Sequence, residues 1–166
     1  VDVLSDSLIK IAVDYYSSRD DLRHRMMANY YNGLILNNIG NYMASIVSLE
    51  MAEKDALAID NHLYAGLIYR TKGDVFSKTN NNSMAIECHK NAVCHFKSLE
   101  NLDYAAYAEL GLAFSYINDQ DYDNAEKTLD FVLEEYNNDY LNTLCRLKRA
   151  IINVEKKQNL PEAIEV

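Results

Sequence analysis

Two Cys-His pairs, Cys88-His89 and Cys94-His95, form the one cluster in this sequence whose side chains suggest a metal. Thiolate and imidazole are the usual protein ligands of zinc. The spacing argues against that chemistry. On one continuous helix Cys88 and His95 share a face but stand about 10.5 Å apart along the axis, whereas zinc holds each ligand at about 2.0–2.3 Å. No metal site and no cofactor are therefore expected. Nor can Cys88 and Cys94 bridge, because six helical steps point them roughly 240° apart. With Cys145 as the third, free and mostly buried thiols are predicted, so folding does not call for an oxidising compartment.

Catalytic patterns are missing as well. The chain has no Gly-rich phosphate loop, no H-E-x-x-H and no G-x-S-x-G. The acid pairs Asp20-Asp21 and Glu134-Glu135 fall near loops and helix ends, where solvation accounts for them. The prediction is that this chain is not an enzyme. Its net charge of −9 disfavours a nucleic-acid partner, since basic residues supply most of that affinity. No apolar run approaches a membrane span, and the N-terminus lacks an export pattern.

These side chains must be positioned by helices. Half of the residues are apolar, with one proline and five glycines among 166 residues, which favours an all-helical chain over a turn-rich sheet. A shift of 40 residues aligns the sequence with itself. Gly33, Gly73 and Ala113 share one column, and Ser45, Ala85 and Ala125 share another, which Ser5 extends backwards. Ala12, Ala52 and Ala92 make a third small column, with Val132 its larger member. Leu36, Phe76 and Tyr116 form a bulky column; Ile9, Leu49, His89 and Leu129 form a second. The linker residues Asp21, Asn61 and Asn101 keep the same step. A period of this length marks a repeat architecture.

Polar breaks divide each unit. Gly40-Asn41, Asn80-Asn81-Asn82 and Asn118-Asp119-Gln120-Asp121 are rich in residues that turn and cap. First helices are predicted over about 22–38, 62–78, 102–118 and 140–157, and second helices over about 2–17, 42–59, 83–99 and 122–136. Breaks this short make the two helices antiparallel. Small residues facing small residues let the axes approach, and bulky residues one turn away fill the flanks. Each pair leaves an apolar face that only the next pair can cover.

The columns resemble those of the tetratricopeptide repeat. Asp121-Tyr122-Asp123-Asn124-Ala125-Glu126 reads like that family's turn into its second helix, and Gly40-Asn41-Tyr42-Met43-Ala44-Ser45-Ile46 follows closely. Asn29 and Glu109 depart from it, standing where a large apolar residue is usual. The 40-residue unit is similar to the long-repeat class found in adaptors and in the sensor halves of bacterial regulators. The resemblance implies a right-handed α-solenoid of antiparallel helix pairs, one array over residues 1–166 made of a second helix at 2–17, units at about 22–59, 62–99 and 102–136, and the start of another at 140–166. It also implies that the thirteen tyrosines, among them Tyr15, Tyr16, Tyr30, Tyr31, Tyr64 and Tyr69, mostly fill gaps between helices, although these pairs could instead stack on a ligand. The register begins mid-unit, and residues 158–164, with Pro161, look like a further turn and helix start. Excision from a longer protein is therefore expected.

In the resembled fold the first helices line a concave groove. Carried over by register, that places Met27, Tyr30, Leu34, Asn37 and Asn38 in the first unit and Arg70, Asp74, Ser77 and Lys78 in the second. Tyr107, Leu110, Phe114, Ile117 and Asn118 follow in the third, and Lys148 and Ile152 in the fourth. Asparagines among aromatics and a few charges suit an extended or helical peptide. The family's clamp for a carboxylate tail is poorly matched, because Asp74 and Gly111 replace asparagines and an aspartate repels a carboxylate. The expected role is a protein- or peptide-binding scaffold, the partner- or signal-sensing segment of a larger bacterial signalling or transcription-regulatory protein. Its partner is a protein, a peptide or another part of the same chain, with no nucleic acid and no membrane contact. A structural spacer or homodimerisation module is the alternative, as is the non-catalytic part of an enzyme whose active site lies elsewhere. Reduced thiols favour the cytoplasm over an extracytoplasmic sensor segment of a membrane-anchored protein.

Overall fold

The computed structural model describes residues 6–99, 102–136 and 138–158; Ser5, Asn101 and the turn expected after position 158 lie outside them. The described residues form eight consecutive helices: α1 (Asp6–Ser17), α2 (Leu22–Asn38), α3 (Tyr42–Ala58), α4 (His62–Lys78), α5 (Asn82–Ser98), α6 (Leu102–Asn118), α7 (Tyr122–Glu135) and α8 (Asp139–Gln158). No strand occurs among them. The chain is an α-solenoid.

One local device, found at four of the described turns, sets the helix ends there. Gly40, Asp60, Asn80 and Gln120 hold positive φ (80°, 52°, 57° and 61°), and the next residue is the cap of the following helix. At each turn two backbone N–H groups fold back on the finished helix, as when Gly40 N donates to Asn37 O and Asn41 N to Leu36 O. That pattern satisfies carbonyls a helix end would otherwise leave bare. Asp21, Asn41, Asn61 and Asp121 then accept the N–H of the residue three ahead, meeting an orphan donor of the new helix.

Successive helices pack antiparallel against their neighbours. In addition, α2 meets α4, α4 meets α6 and α6 meets α8. Among the described residues no second helix reaches the next second helix. The first helices thus form a close inner rank and the second helices a splayed outer one, which curves the array and makes the inner face concave.

Equivalent columns carry equivalent packing. A Cβ on Gly33 would fall 2.7 Å from Leu49, and one on Gly73 would fall 2.6 Å from the His89 ring, forty residues along in both partners. Ser45 reinforces the first approach by donating to Gly33 O at 2.8 Å. Ala85, Ala113, Ala125 and Leu129 are fully buried in the later units. The two departures from an apolar core are satisfied locally. Asn29 donates to Arg25 O at 3.0 Å, and buried Glu109 pairs with Lys97 at 2.8 Å.

His89 is wedged between two inner helices, because a Cβ on Gly111 would also lie 2.7 Å from its ring. Closed on both sides, the ring has nowhere to retreat. Alanine at position 73 gains about 1 kcal/mol of helix propensity but overpacks at a cost of about 1–3 kcal/mol. Gly73→Ala is accordingly expected to lower the stability by roughly 1 kcal/mol in urea titration. A raised midpoint would contradict the wedge.

Candidate functional site

A concavity of about 710 Å³ lies on the inner face, where α4, α6 and α8 converge. Asp74, Ser77 and Lys78 line it from α4 and Phe114, Ile117 and Asn118 from α6. Asn80 and Gln120 contribute from two equivalent turns, Tyr122 from α7 and Glu155 from α8. Stacking at a 40-residue step brings the two turns together.

Several residues of the predicted groove meet here and others do not. Asp74, Lys78, Phe114 and Asn118 line the cavity. Asn37 joins it indirectly, accepting from Lys78 Nζ at 2.9 Å. Lys148 sets its ammonium 3.9 Å above the Phe114 ring, and its burial lowers its pKa. Among the described residues no carboxylate pairs with it, and the Phe114 face offers its charge a cation–π contact. Tyr30 is buried, edge-on to Tyr64 at 5.5 Å, and its burial raises its pKa. Met27 and Leu34 are partly buried against the same core, Asn38 and Tyr107 are exposed, and Arg70 is half-buried. None of these six lines the cavity.

The fourth unit shifts the register. Helix α7 has 14 residues where α3 and α5 have 17, so the cap of α8, Asn138, arrives three positions early. Its side chain accepts from Leu141 N at 3.2 Å. Counted from that cap, Leu147, Ile151, Val154 and Glu155 occupy the positions of Leu110, Phe114, Ile117 and Asn118. Ile152, expected in the groove, is instead fully buried. Glu155 takes the groove position and accepts from the Tyr122 hydroxyl at 3.1 Å. The doublet Asn137-Asn138 is the sequence signal for this early start.

Beneath the cavity runs a buried polar chain that spacing does not reveal. His89 Nδ1 lies 2.9 Å from Ser115 Oγ, and Ser115 Oγ is 3.2 Å from Gly111 O, to which it can donate. His89 Nε2 has no hydrogen-bond partner. It stands 3.5 Å from Asp74 Oδ1, at the limit of hydrogen-bond length and without the alignment, so the two are electrostatic neighbours. Asp, His and Ser in line suggest acyl transfer, but Ser115 is fully buried and no substrate can reach it. The chain ties the pocket carboxylate of Asp74 to the wedge between α4 and α6.

The sulfur chemistry is quiet. Cys88 and Cys145 are buried and Cys94 is exposed, all as free thiols. Burial pushes Cys88 up to about 11, which keeps it protonated and unreactive at neutral pH. Among the described residues no helix is long and apolar enough to cross a membrane.

No protein-family model and no curated protein sequence matches the chain. A solved structure does. It is a Signal Transduction ATPase with Numerous Domains (STAND) protein with a tetratricopeptide repeat sensor, from Pyrococcus horikoshii. The match covers 93% of this chain with a TM-score of 0.71 at 16% sequence identity. The likeness is one of fold. This chain spans 24% of that protein's length.

Proposed function

We propose that this chain is a protein-interaction scaffold, the partner- or signal-sensing segment of a larger signalling or regulatory protein, and that it holds an extended or helical peptide on its inner face. The observation that carries this reading is the 710 Å³ concavity, in which an aromatic floor, side-chain amides and a few charges meet between successive first helices. Peptide recognition needs that combination: apolar area for anchoring and polar groups for the backbone. The structural likeness to a protein with a tetratricopeptide repeat sensor supports the sensing role.

The wedge supplies a route for a signal. A ligand that engages Asp74 alters the charge beside His89 Nε2, and His89 sets the approach of α4 to α6. Curvature of the array then shifts with occupancy, and a neighbouring effector segment reads that shift. Such a shift can be no larger than the ligand's differential affinity for the two curvatures.

Fluorescence anisotropy with a peptide library, followed by calorimetry on the hits, tests the reading. Phe114→Ala and Asn118→Ala are each expected to weaken a bound peptide at least tenfold (about 1.4 kcal/mol), with unchanged helical circular dichroism. If no peptide binds, or if binding ignores both substitutions, the inner face is not the recognition surface. A spacer or dimerisation role has its own support in the apolar outer face of α1, where Leu8, Ile11 and Tyr15 are 60%, 64% and 53% exposed. Concentration-dependent dimers in light scattering, together with an empty groove, would favour it.

A further inference from the structure

His62 opens α4 and His95 lies in the last turn of α5, so the antiparallel hairpin brings them together at one end. Their Nδ1 atoms are 2.9 Å apart and their ring centroids 5.1 Å apart. Each ring is held from behind. His62 Nε2 stands 3.3 Å from the Asp60 carboxylate, an electrostatic neighbour without hydrogen-bond alignment. The His95 ring stacks on Tyr69 at 5.5 Å, with 13° between planes. Tyr69 in turn donates to Glu53 at 2.8 Å, whose other oxygen accepts from Lys72 at 2.7 Å.

We propose that His62 and His95 form a two-imidazole site for one borderline divalent transition-metal ion, zinc or copper(II), outside the groove and independent of it. Two nitrogens bound to one zinc ion in tetrahedral geometry stand about 3.3 Å apart. The pair reaches that separation by turning the rings slightly, with the centroids left where they are. In the metal-free state one proton lies between the two nitrogens. On binding, the ring that held this proton carries it on Nε2 instead, and both Nδ1 lone pairs face the ion. Imidazole suits these ions. Asp60, 3.3 Å from His62 Nε2, adds a negative charge beside the pair. Among the described residues no third His, Cys, Asp or Glu joins the pair, so water completes the coordination.

Zinc titration of the full chain against a chromogenic chelator at pH 7.5 tests the site. One ion per chain is expected, with affinity at least tenfold weaker in His62→Gln or His95→Gln and unchanged in His24→Gln. Absence of stoichiometric binding, or binding that survives in the His62→Gln/His95→Gln double variant, overturns the proposal. Should either variant fail to fold, copper(II) electron paramagnetic resonance on the unaltered chain decides. Two coordinated imidazole nitrogens support the site, and one or none refutes it.

Discussion

Truncating Phe96 to alanine is expected to lower the stability of the array by about 3–5 kcal/mol, read as a shift of the urea midpoint at unchanged slope. The ring is fully buried and joins three helices. It belongs to α5, lies over Gly66 of α4, and stacks on Tyr104 of α6 at 5.2 Å. Removing it leaves a cavity bounded on one side by a residue with no side chain, so little can move in to fill the space. The contact with Gly66 gives the prediction a second arm. A Cβ at position 66 would fall 2.5–2.8 Å from three ring carbons of Phe96, so Gly66→Ala alone overpacks and destabilises by about 1–3 kcal/mol. In the Phe96→Ala background the obstruction is gone and the helix-propensity gain of about 1 kcal/mol remains. The same substitution then stabilises. Simple additivity of the two changes would show that Phe96 does not seat on Gly66.

Loss of Arg25 should be nearly as damaging, and more so than loss of its partner. Asp55 of α3 has a side chain only 4% exposed. Arg25 of α2 grips it with two bonds, Nε to Oδ2 at 2.8 Å and Nη2 to Oδ1 at 2.6 Å. That contact raises the pKa of the guanidinium. Arg25→Ala strands a buried carboxylate, for which about 3–5 kcal/mol is expected. Asp55→Ala leaves an arginine already 28% exposed, free to turn into water, and should cost closer to the worth of a charged hydrogen bond, about 1.5–3 kcal/mol. The double variant should recover part of the Arg25→Ala loss. Chemical denaturation of all three variants measures this asymmetry, and equal losses from either side would place the charge in solvent rather than in the hairpin.

The all-helical class and the solenoid were legible because packing imposes its period on the sequence. Gly33 and Gly73 had to be small for Leu49 and His89 to close on them, and that need recurs wherever hairpins nest. The linker amides were legible for a similar reason, since caps and positive-φ turns admit few residue types. The site was read less completely. Register placed Asp74, Lys78, Phe114 and Asn118 on the inner face, but it carried Ile152 there too, because a constant step cannot register the three residues missing from α7. Tyr30 occupies a groove position in the pattern and a core position in space. Its neighbour Tyr64 comes from the next unit, and no single unit encodes that contact. The Asp74–His89–Ser115 chain and the His62–His95 pair share this character. Each joins residues dozens of positions apart on different helices, with no motif to announce them. His95 was paired in sequence with Cys88, on its own helix, while its true neighbour opens the helix before.

The unequal spacing of the two ranks has a mechanical consequence. Tightening the curve drives already touching inner helices into one another, whereas straightening it only narrows gaps on the outside that no contact yet blocks. Such a ribbon is stiff in one sense and compliant in the other. Tension at its ends is absorbed as elongation, shared among units whose couplings run to nearest neighbours, before any single hairpin has to come apart.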